Sequence, residues 1–312
     1  MRTALLAALA LAAGLAPLAA QQTPRAIGAA GGPSVTIDFV AVDAKGEPVR
    51  NLTAADVTVR IDGKDRAVRD LRFIARDAPA TGPAVDPPPA PFASNQGGDV
   101  TSRALLVIFD NETMPAGREG RVKEAIATMV RTLGPRDVAA IVTVPHGGTS
   151  TDFTNDRAKL LDATEKLMGA KPNTETADEA ACRSRLTVQA VTGLLSQRGG
   201  AEQPLDVIFV TSGLVGPQSN VTTGRTTLGR GTVGGCDMPN DEFTKLGAAA
   251  AQAHARVFIV QPERPVGAAT AADSQMAGLE AIASITGGDI WHMAGSDEPG
   301  FQRIMRQTAG FY

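Results

Sequence analysis

The stretch Ala104-Leu-Leu-Val-Ile-Phe-Asp110 sets six apolar residues in an unbroken run and closes them with a carboxylate. Strict alternation would mark a strand with one wet face; an unbroken run of this length marks a strand covered on both faces. Three further runs share the pattern: Val138-Ala-Ala-Ile-Val-Thr-Val144, Leu205-Asp-Val-Ile-Phe-Val-Thr211 and Arg256-Val-Phe-Ile-Val-Gln261. Helical periodicity lies between them. Gly117 to Leu133 puts Val122, Ile126, Met129, Val130 and Leu133 on one face, and Gly134-Pro135 stops the helix. Asn155-Asp156 caps a helix expected to bury Leu160, Leu161, Leu167 and Met168. Ser184 to Gln197 reads as a helix with Ser184 as its cap, and Asp241 to His254 as another. Ser274 is the expected cap of a helix that turns Met276, Leu279 and Ile282 inward and ends at Gly287-Gly288. A short strand, Asp289 to His292, and a helix carrying Phe301, Ile304 and Met305 complete the series. Strands alternating with helices predict an α/β fold, a doubly wound and mainly parallel sheet flanked by helices. Ligands of such sheets gather at the carboxyl ends of the strands, here Asp110, Val144, Thr211 and Gln261.

Upstream of this domain, assigned to residues 101–312, the texture changes. Residues 76–100 carry Pro79, Pro83, Pro87, Pro88, Pro89 and Pro91, and read as a linker. Residues 34–75 read as a small β unit. Val35 to Val42 alternates as a strand, Thr53 caps a short helical turn, and Val57 to Ile61 alternates again. Asp62-Gly63 then signals a hairpin, and Ala67 to Ile74 is expected as the third strand. The unit is too small to be comfortable alone. Residues 21–33 are a polar, Gly- and Ala-rich lead.

Residues 1–20 read as a signal peptide: Met1-Arg2 supplies a positive start, Thr3 to Ala20 carries no charge, and Leu18-Ala19-Ala20 precedes Gln21-Gln22. Cleavage near Ala20 is the preferred reading over a membrane anchor, because the stretch is short and rich in weakly apolar Ala. The mature chain of 292 residues (312 minus 20) is then exported, periplasmic or secreted, with no stable membrane insertion. A hydrophobic fraction of 43% allows a sizeable core. A net charge of −3 argues against a nucleic-acid or anionic-membrane surface, and 4% aromatic residues argue against stacking platforms for bases or sugars. In an oxidising compartment the two cysteines, Cys182 and Cys236, are most simply a disulfide rather than two buried thiols. Closing a loop of about 54 residues is worth about 4 kcal/mol in the loop-entropy account.

At the first strand's end, Asp110-Asn-Glu-Thr-Met114 offers two readings. Asp110 and Glu112 present carboxylate oxygens to a hard divalent cation such as Mg2+; or Asp110 caps its own loop while Glu112 is solvated. The chain resembles the von Willebrand factor A fold in the apolar strand ending at Asp110, in Leu133-Gly-Pro-Arg-Asp137 before the second strand, and in Val207-Ile-Phe-Val-Thr-Ser-Gly213. More narrowly it resembles the VWFA-related proteins of the acidobacterial type. That resemblance rests on Val42-Asp-Ala-Lys-Gly-Glu-Pro-Val49, Leu52-Thr-Ala-Ala-Asp-Val57, Asp62-Gly-Lys64, Asp152-Phe-Thr-Asn-Asp156 and the final Gly310-Phe-Tyr312. Members with a working site carry a metal-ion-dependent adhesion motif, Asp-x-Ser-x-Ser, completed by a threonine from a later loop and an aspartate at another strand end. The resemblance maps Asp110 onto the first position. Glu112 and Met114 stand where the serines would, Ser212 stands where the second aspartate would, and Thr174 or Thr176 is the candidate threonine. Methionine sulfur is a poor ligand for a hard ion. The expectation is a degenerate, metal-independent site, with Asp110, Glu112 and Ser212 as the ligands of any divalent cation held there. Asn111, Thr113, His146 and Thr176 belong to the surrounding binding edge. Relatives of this type continue past the aromatic pair, so the resemblance also implies a frayed last helix or a truncated chain.

Gly229, Gly231 and Gly234 form a G-x-G-x-x-G that follows no strand and opens no helix, so it reads as a long loop ending at Cys236 rather than a dinucleotide site. No Gly-x-Ser-x-Gly elbow is present, and His146, His254 and His292 are scattered. These observations predict a non-enzymatic module that presents the sheet's carboxyl edge and the 213–240 segment to an extracytoplasmic protein. The alternatives are a metal-assisted hydrolase using the Asp110/Glu112 edge, with His146 beside it, and an envelope-structural protein.

Overall fold

All of the apolar runs become strands. In a computed structural model of the chain, residues 35–76, 101–201, 203–217, 236, 238–262, 269–293 and 298–312 are described. The hairpin strands are β1 (Val59–Ile61) and β2 (Lys64–Arg66), followed by β3 (Ile74–Ala75). The main domain runs β4 (Ala104–Asp110), α1 (Gly120–Thr132), β5 (Val138–Val144), α2 (Arg157–Glu165), α3 (Ala177–Ser196) and β6 (Leu205–Val210). It continues through α4 (Asn240–Gln252), β7 (Ala255–Gln261), α5 (Ala269–Thr286), β8 (Ile290–His292), α6 (Glu298–Gln307) and β9 (Gly310–Phe311). The central sheet has five strands in the order β5-β4-β6-β7-β8, all parallel. Antiparallel bridges from Ser150 and Thr154 to Val142 and Ala139 line the β5 edge.

The order explains where a site forms. The chain winds from β4 to β5 on one side, then returns to place β6 on the other. The switch point falls between β4 and β6, at whose carboxyl ends the ligands of such sheets gather. Successive residues of each strand point to opposite faces and build two cores. Leu106, Ile108, Val207, Phe209, Val257 and Ile259 pack with residues of α3, α4 and α5. Leu105, Val107, Phe109, Ile208, Val210 and Val260 pack with residues of α1, α2 and α6. The Leu133-to-Asp137 turn is fixed by its aspartate, whose carboxylate accepts from the Arg103 and Gly134 N–H groups at 2.8 and 2.7 Å.

Several local expectations are corrected. Helix α3 starts at Ala177 rather than Ser184; Thr176 and Glu179 form a reciprocal capping box, and Ser184 is a buried interior residue whose hydroxyl accepts from the Val215 N–H at 2.9 Å. Ser274 likewise lies inside α5. Met168 is 66% exposed, because α2 ends at Glu165 and the chain leaves the helical register before that residue. The start of the 213–240 segment is not a surface loop: Leu214 and Val215 are buried, and Leu214 and Gly216 bond the backbone of Gln275 and Ser274.

The expected three-stranded β unit is rearranged. Asp62 and Gly63, both at positive φ, turn the β1–β2 hairpin as read. The segment at Val35 to Val42 forms no ladder of its own; Phe39 exchanges both backbone hydrogen bonds with Tyr312 at 3.0 and 2.8 Å. The third strand pairs antiparallel with β9, not with the hairpin. The Tyr312 ring stacks on Phe39 and meets Phe73 edge-on, and its hydroxyl accepts from the Leu52 N–H at 2.8 Å. Helix α6 buries Phe301 and Ile304 and leads into β9, so the expected fraying is not seen. Arg76, read as the first linker residue, is buried and ion-paired to Asp206. Residues 1–34 and 77–100, which carry the signal-peptide, lead and linker readings, lie outside the described residues, as do the glycines of 229–234. No described helix is long and apolar enough to cross a membrane.

Candidate functional site

Hydroxyls join the two strand ends at the switch point. Asp110, the last residue of β4, is 0% exposed. Thr211, directly after β6, donates its hydroxyl to Asp110 Oδ2 at 2.9 Å. One turn of 3-10 helix, Asn111–Thr113, follows Asp110. Thr113 in that turn donates to the Asp110 carbonyl at 3.0 Å and accepts from the Ser212 N–H at 3.0 Å. The hydroxyl of Thr113 thus ties the two strand ends together. Ser212 is buried, and its carbonyl accepts from Gln261 Nε2 at 2.9 Å. A second loop closes over the turn. Ala170 and Lys171 donate their N–H groups to the Asn111 and Met114 carbonyls at 2.8 and 3.0 Å. Gly169 permits this approach: a Cβ there would strike the carbonyl oxygens of Met114 and Pro115.

The charge of the site comes from helix α3. Arg183 is buried, and its Nη1 stands 3.9 Å from Asp110 Oδ2. Its Nε and Nη2 grip the two oxygens of Glu175 at 2.7 and 3.2 Å, a bidentate pair. Burial pushes the Asp110 carboxyl up to about 6; the Arg183 charge and the Thr211 hydroxyl oppose this, and the Glu112 charge adds to it. Burial acts to lower the Arg183 guanidinium, but the hydrogen bond to Glu175 and the charges of Asp110, Glu175 and Glu112 outweigh it and raise it. Above this floor Glu112 turns outward to meet His146 Nδ1 at 2.7 Å. The Cys182–Cys236 disulfide is formed and joins the residue beside Arg183 to the approach to α4.

Asp110, Thr113 and Ser212 therefore converge, with Glu112 and His146 above them and the Asn111 carbonyl tied into the loop contact. Thr176 does not join the set; its hydroxyl accepts from the Glu179 N–H as the cap of α3. Thr211 was named as a strand end but given no role; Arg183, Glu175 and Gly169 were not anticipated. Arg183 had a signal: with α3 extended back to Ala177, it falls on the buried stripe of Ala180, Ser184, Thr187, Val188 and Val191.

A hard divalent cation needs several oxygen ligands around one point. The residues here do not fit it. The Met114 side chain is packed in the core, Thr113 is engaged as donor and acceptor, and Glu112 faces His146. A guanidinium already stands beside Asp110. Among the described residues, no group of three or more His, Cys, Asp or Glu is arranged to hold an ion.

No family model matches the chain, and no curated protein matches it. Solved structures do. An aerotolerance-related membrane protein from Bacteroides fragilis is 12% identical, with 66% of this chain and 98% of that one covered at a TM-score of 0.39. The vWF domain of the type V pili tip protein Mfa5 from Porphyromonas gingivalis is 10% identical, with 66% and 94% covered at a TM-score of 0.41. Proximal thread matrix protein 1 from the mussel byssus, with a zinc-occupied MIDAS motif, is 14% identical, with 67% and 46% covered at a TM-score of 0.36. The five-stranded parallel sheet, its helices on both faces and its switch point at Asp110 give the chain a von Willebrand factor A-like α/β fold.

Proposed function

We propose that the chain is an exported, non-enzymatic binding module whose carboxyl sheet edge meets an extracytoplasmic protein, with a degenerate form of the metal-ion-dependent adhesion motif beneath that edge. The observation that carries this reading is the sealing of Asp110. A catalytic carboxylate has to reach substrate, and this one is wholly buried under Thr113 and Thr211. What faces outward is a surface: Glu112, His146 and the 170–176 loop on a hydrogen-bonded floor. Loops fixed on a rigid scaffold suit recognition. The test is site-specific photo-crosslinking in the native envelope, with the reactive group at His146 or, as control, at Arg131 on helix α1. A discrete adduct from His146 and none from Arg131 supports the reading; equal adducts from both sink it.

One observation favours a second reading, an acid–base hydrolase. Glu112 and His146 are in direct contact, as a carboxylate–imidazole pair would be. Hydrolysis of a model ester or peptide that Glu112→Gln abolishes would establish it in place of the first.

A further inference from the structure

The fold places a carboxylate where a cation would be expected, yet the surrounding groups do not make a cation cage. We propose that Arg183 is the built-in cation of this site: from helix α3 it supplies the charge balance for Asp110 that a bound divalent ion would otherwise supply, and it links that strand end to Glu175. Three features converge on this. The guanidinium is buried and bridges two carboxylates from different parts of the chain, Asp110 at 3.9 Å and Glu175 at 2.7 Å. Its Nη1, which stands 3.9 Å from Asp110 Oδ2, is buried and makes no hydrogen bond among the described residues, so its interaction with Asp110 is one of charge. The first turns of the helix that carries it are fixed immediately ahead of Arg183, by the Thr176–Glu179 capping box and by the Cys182–Cys236 disulfide.

The substitution changes what the site requires. A metal site is assembled when an ion arrives and lost when it is chelated. A guanidinium on a capped helix is present as soon as the chain folds, and cannot be removed by a chelator or diluted away. Arg suits the role because it stays charged at any physiological pH and offers a planar fork that serves two acceptors at once. Glu175 then occupies the outward half of the fork, so the pair also fixes the loop that leads into α3.

The inference does not depend on the partner-binding reading, and its test uses no partner. The experiment is a double-mutant cycle of Asp110→Asn and Arg183→Met on the mature chain, carried in a Glu175→Gln background so that only the Asp110 coupling is read. Urea midpoints and melting temperatures are recorded with and without Mn2+. The expected result is strong non-additivity: Arg183→Met lowers the midpoint sharply when Asp110 is present and little when Asn replaces it. Neither Mn2+ nor a chelator shifts the melting temperature of the unmutated chain. If Arg183→Met alone does not fold, recovery of folding in the Asp110→Asn, Arg183→Met pair supports the inference, and failure of the pair to recover overturns it. Additive losses would also overturn it, as would stabilisation of the unmutated chain by Mn2+ that Asp110→Asn abolishes.

Discussion

Two carboxylates are sealed inside the same sheet, and they are treated in opposite ways. Asp206 lies near the amino end of β6 and Asp110 at the carboxyl end of β4; both are 0% exposed. Each oxygen of Asp206 meets its own arginine, Oδ2 with Arg76 at 2.5 Å and Oδ1 with Arg256 at 2.6 Å. The Arg76 guanidinium also lies 4.8 Å from the centroid of the Phe311 ring in β9. This end is stitched: one carboxylate binds the segment after β3, strand β7 and, through the arginine, the last strand. Asp110 has one hydroxyl donor and one arginine at 3.9 Å, and its Oδ1 is buried without a partner among the described residues. The amino end spends its charges on joining segments, whereas the carboxyl end keeps a carboxylate incompletely answered beneath the surface where ligands of such sheets collect.

The contrast breaks most decisively at the amino end. Asp206→Ala leaves Arg76 and Arg256 facing each other without a counter-charge, so it is expected to cost about 3–5 kcal/mol in urea unfolding. A loss below about 1 kcal/mol would mean that the stitch is not structural. At the carboxyl end the sign of the pH response is the sharper probe. The folded pKa of Asp110 is raised from 3.8 to about 6, so its ionised form burdens the folded state above that value. The burden amounts to about 3 kcal/mol and is relieved as pH falls through 6 toward 3.8. The stability difference between the unmutated chain and Asp110→Asn should therefore move in favour of the unmutated chain on acidification from about pH 7 to pH 4. A difference that stays flat would mean that Asp110 is solvated.

Gly169→Ala forces a Cβ into the Met114 and Pro115 carbonyls and should cost about 1–3 kcal/mol while pushing the 170–176 loop off the turn, read by urea unfolding and by faster amide exchange at Ala170 and Lys171. The smallest effect belongs to the surface. Glu112→Gln, in a pair whose side chains are 25% and 65% exposed, should change stability by less than about 0.5 kcal/mol, since such pairs contribute little.

The sheet was legible because its strands are buried on both faces, and a short unbroken apolar run bounded by turn residues fits few elements besides a core strand. The place of the site was legible for the same reason, since the strand ends fix Asp110 and Ser212. What was not legible depends on partners distant in sequence. Nothing in Val35 to Val42 indicates that Phe39 pairs with Tyr312, and the Ala67 to Ile74 run looked like a partner for the hairpin before it. Arg183 was hidden by the choice of Ser184 as a helix cap. The Thr176-x-x-Glu179 box, eight residues upstream, carries the stronger start signal, and placing the start there puts a cation on a buried stripe. Gly169 gave no sign, because a close approach between two loops leaves no local pattern.

The most direct test of the central claim, that the carboxyl edge is floored by a buried carboxylate facing Arg183 and serves as a surface rather than a metal centre, is isothermal calorimetry of the purified chain with Mn2+, Mg2+ and Ca2+ beside an Asp110→Ala control. The account predicts no heat that depends on Asp110. Heat that appears in the unmutated chain and vanishes in the control would contradict it, and would show that Asp110 takes part in holding a cation.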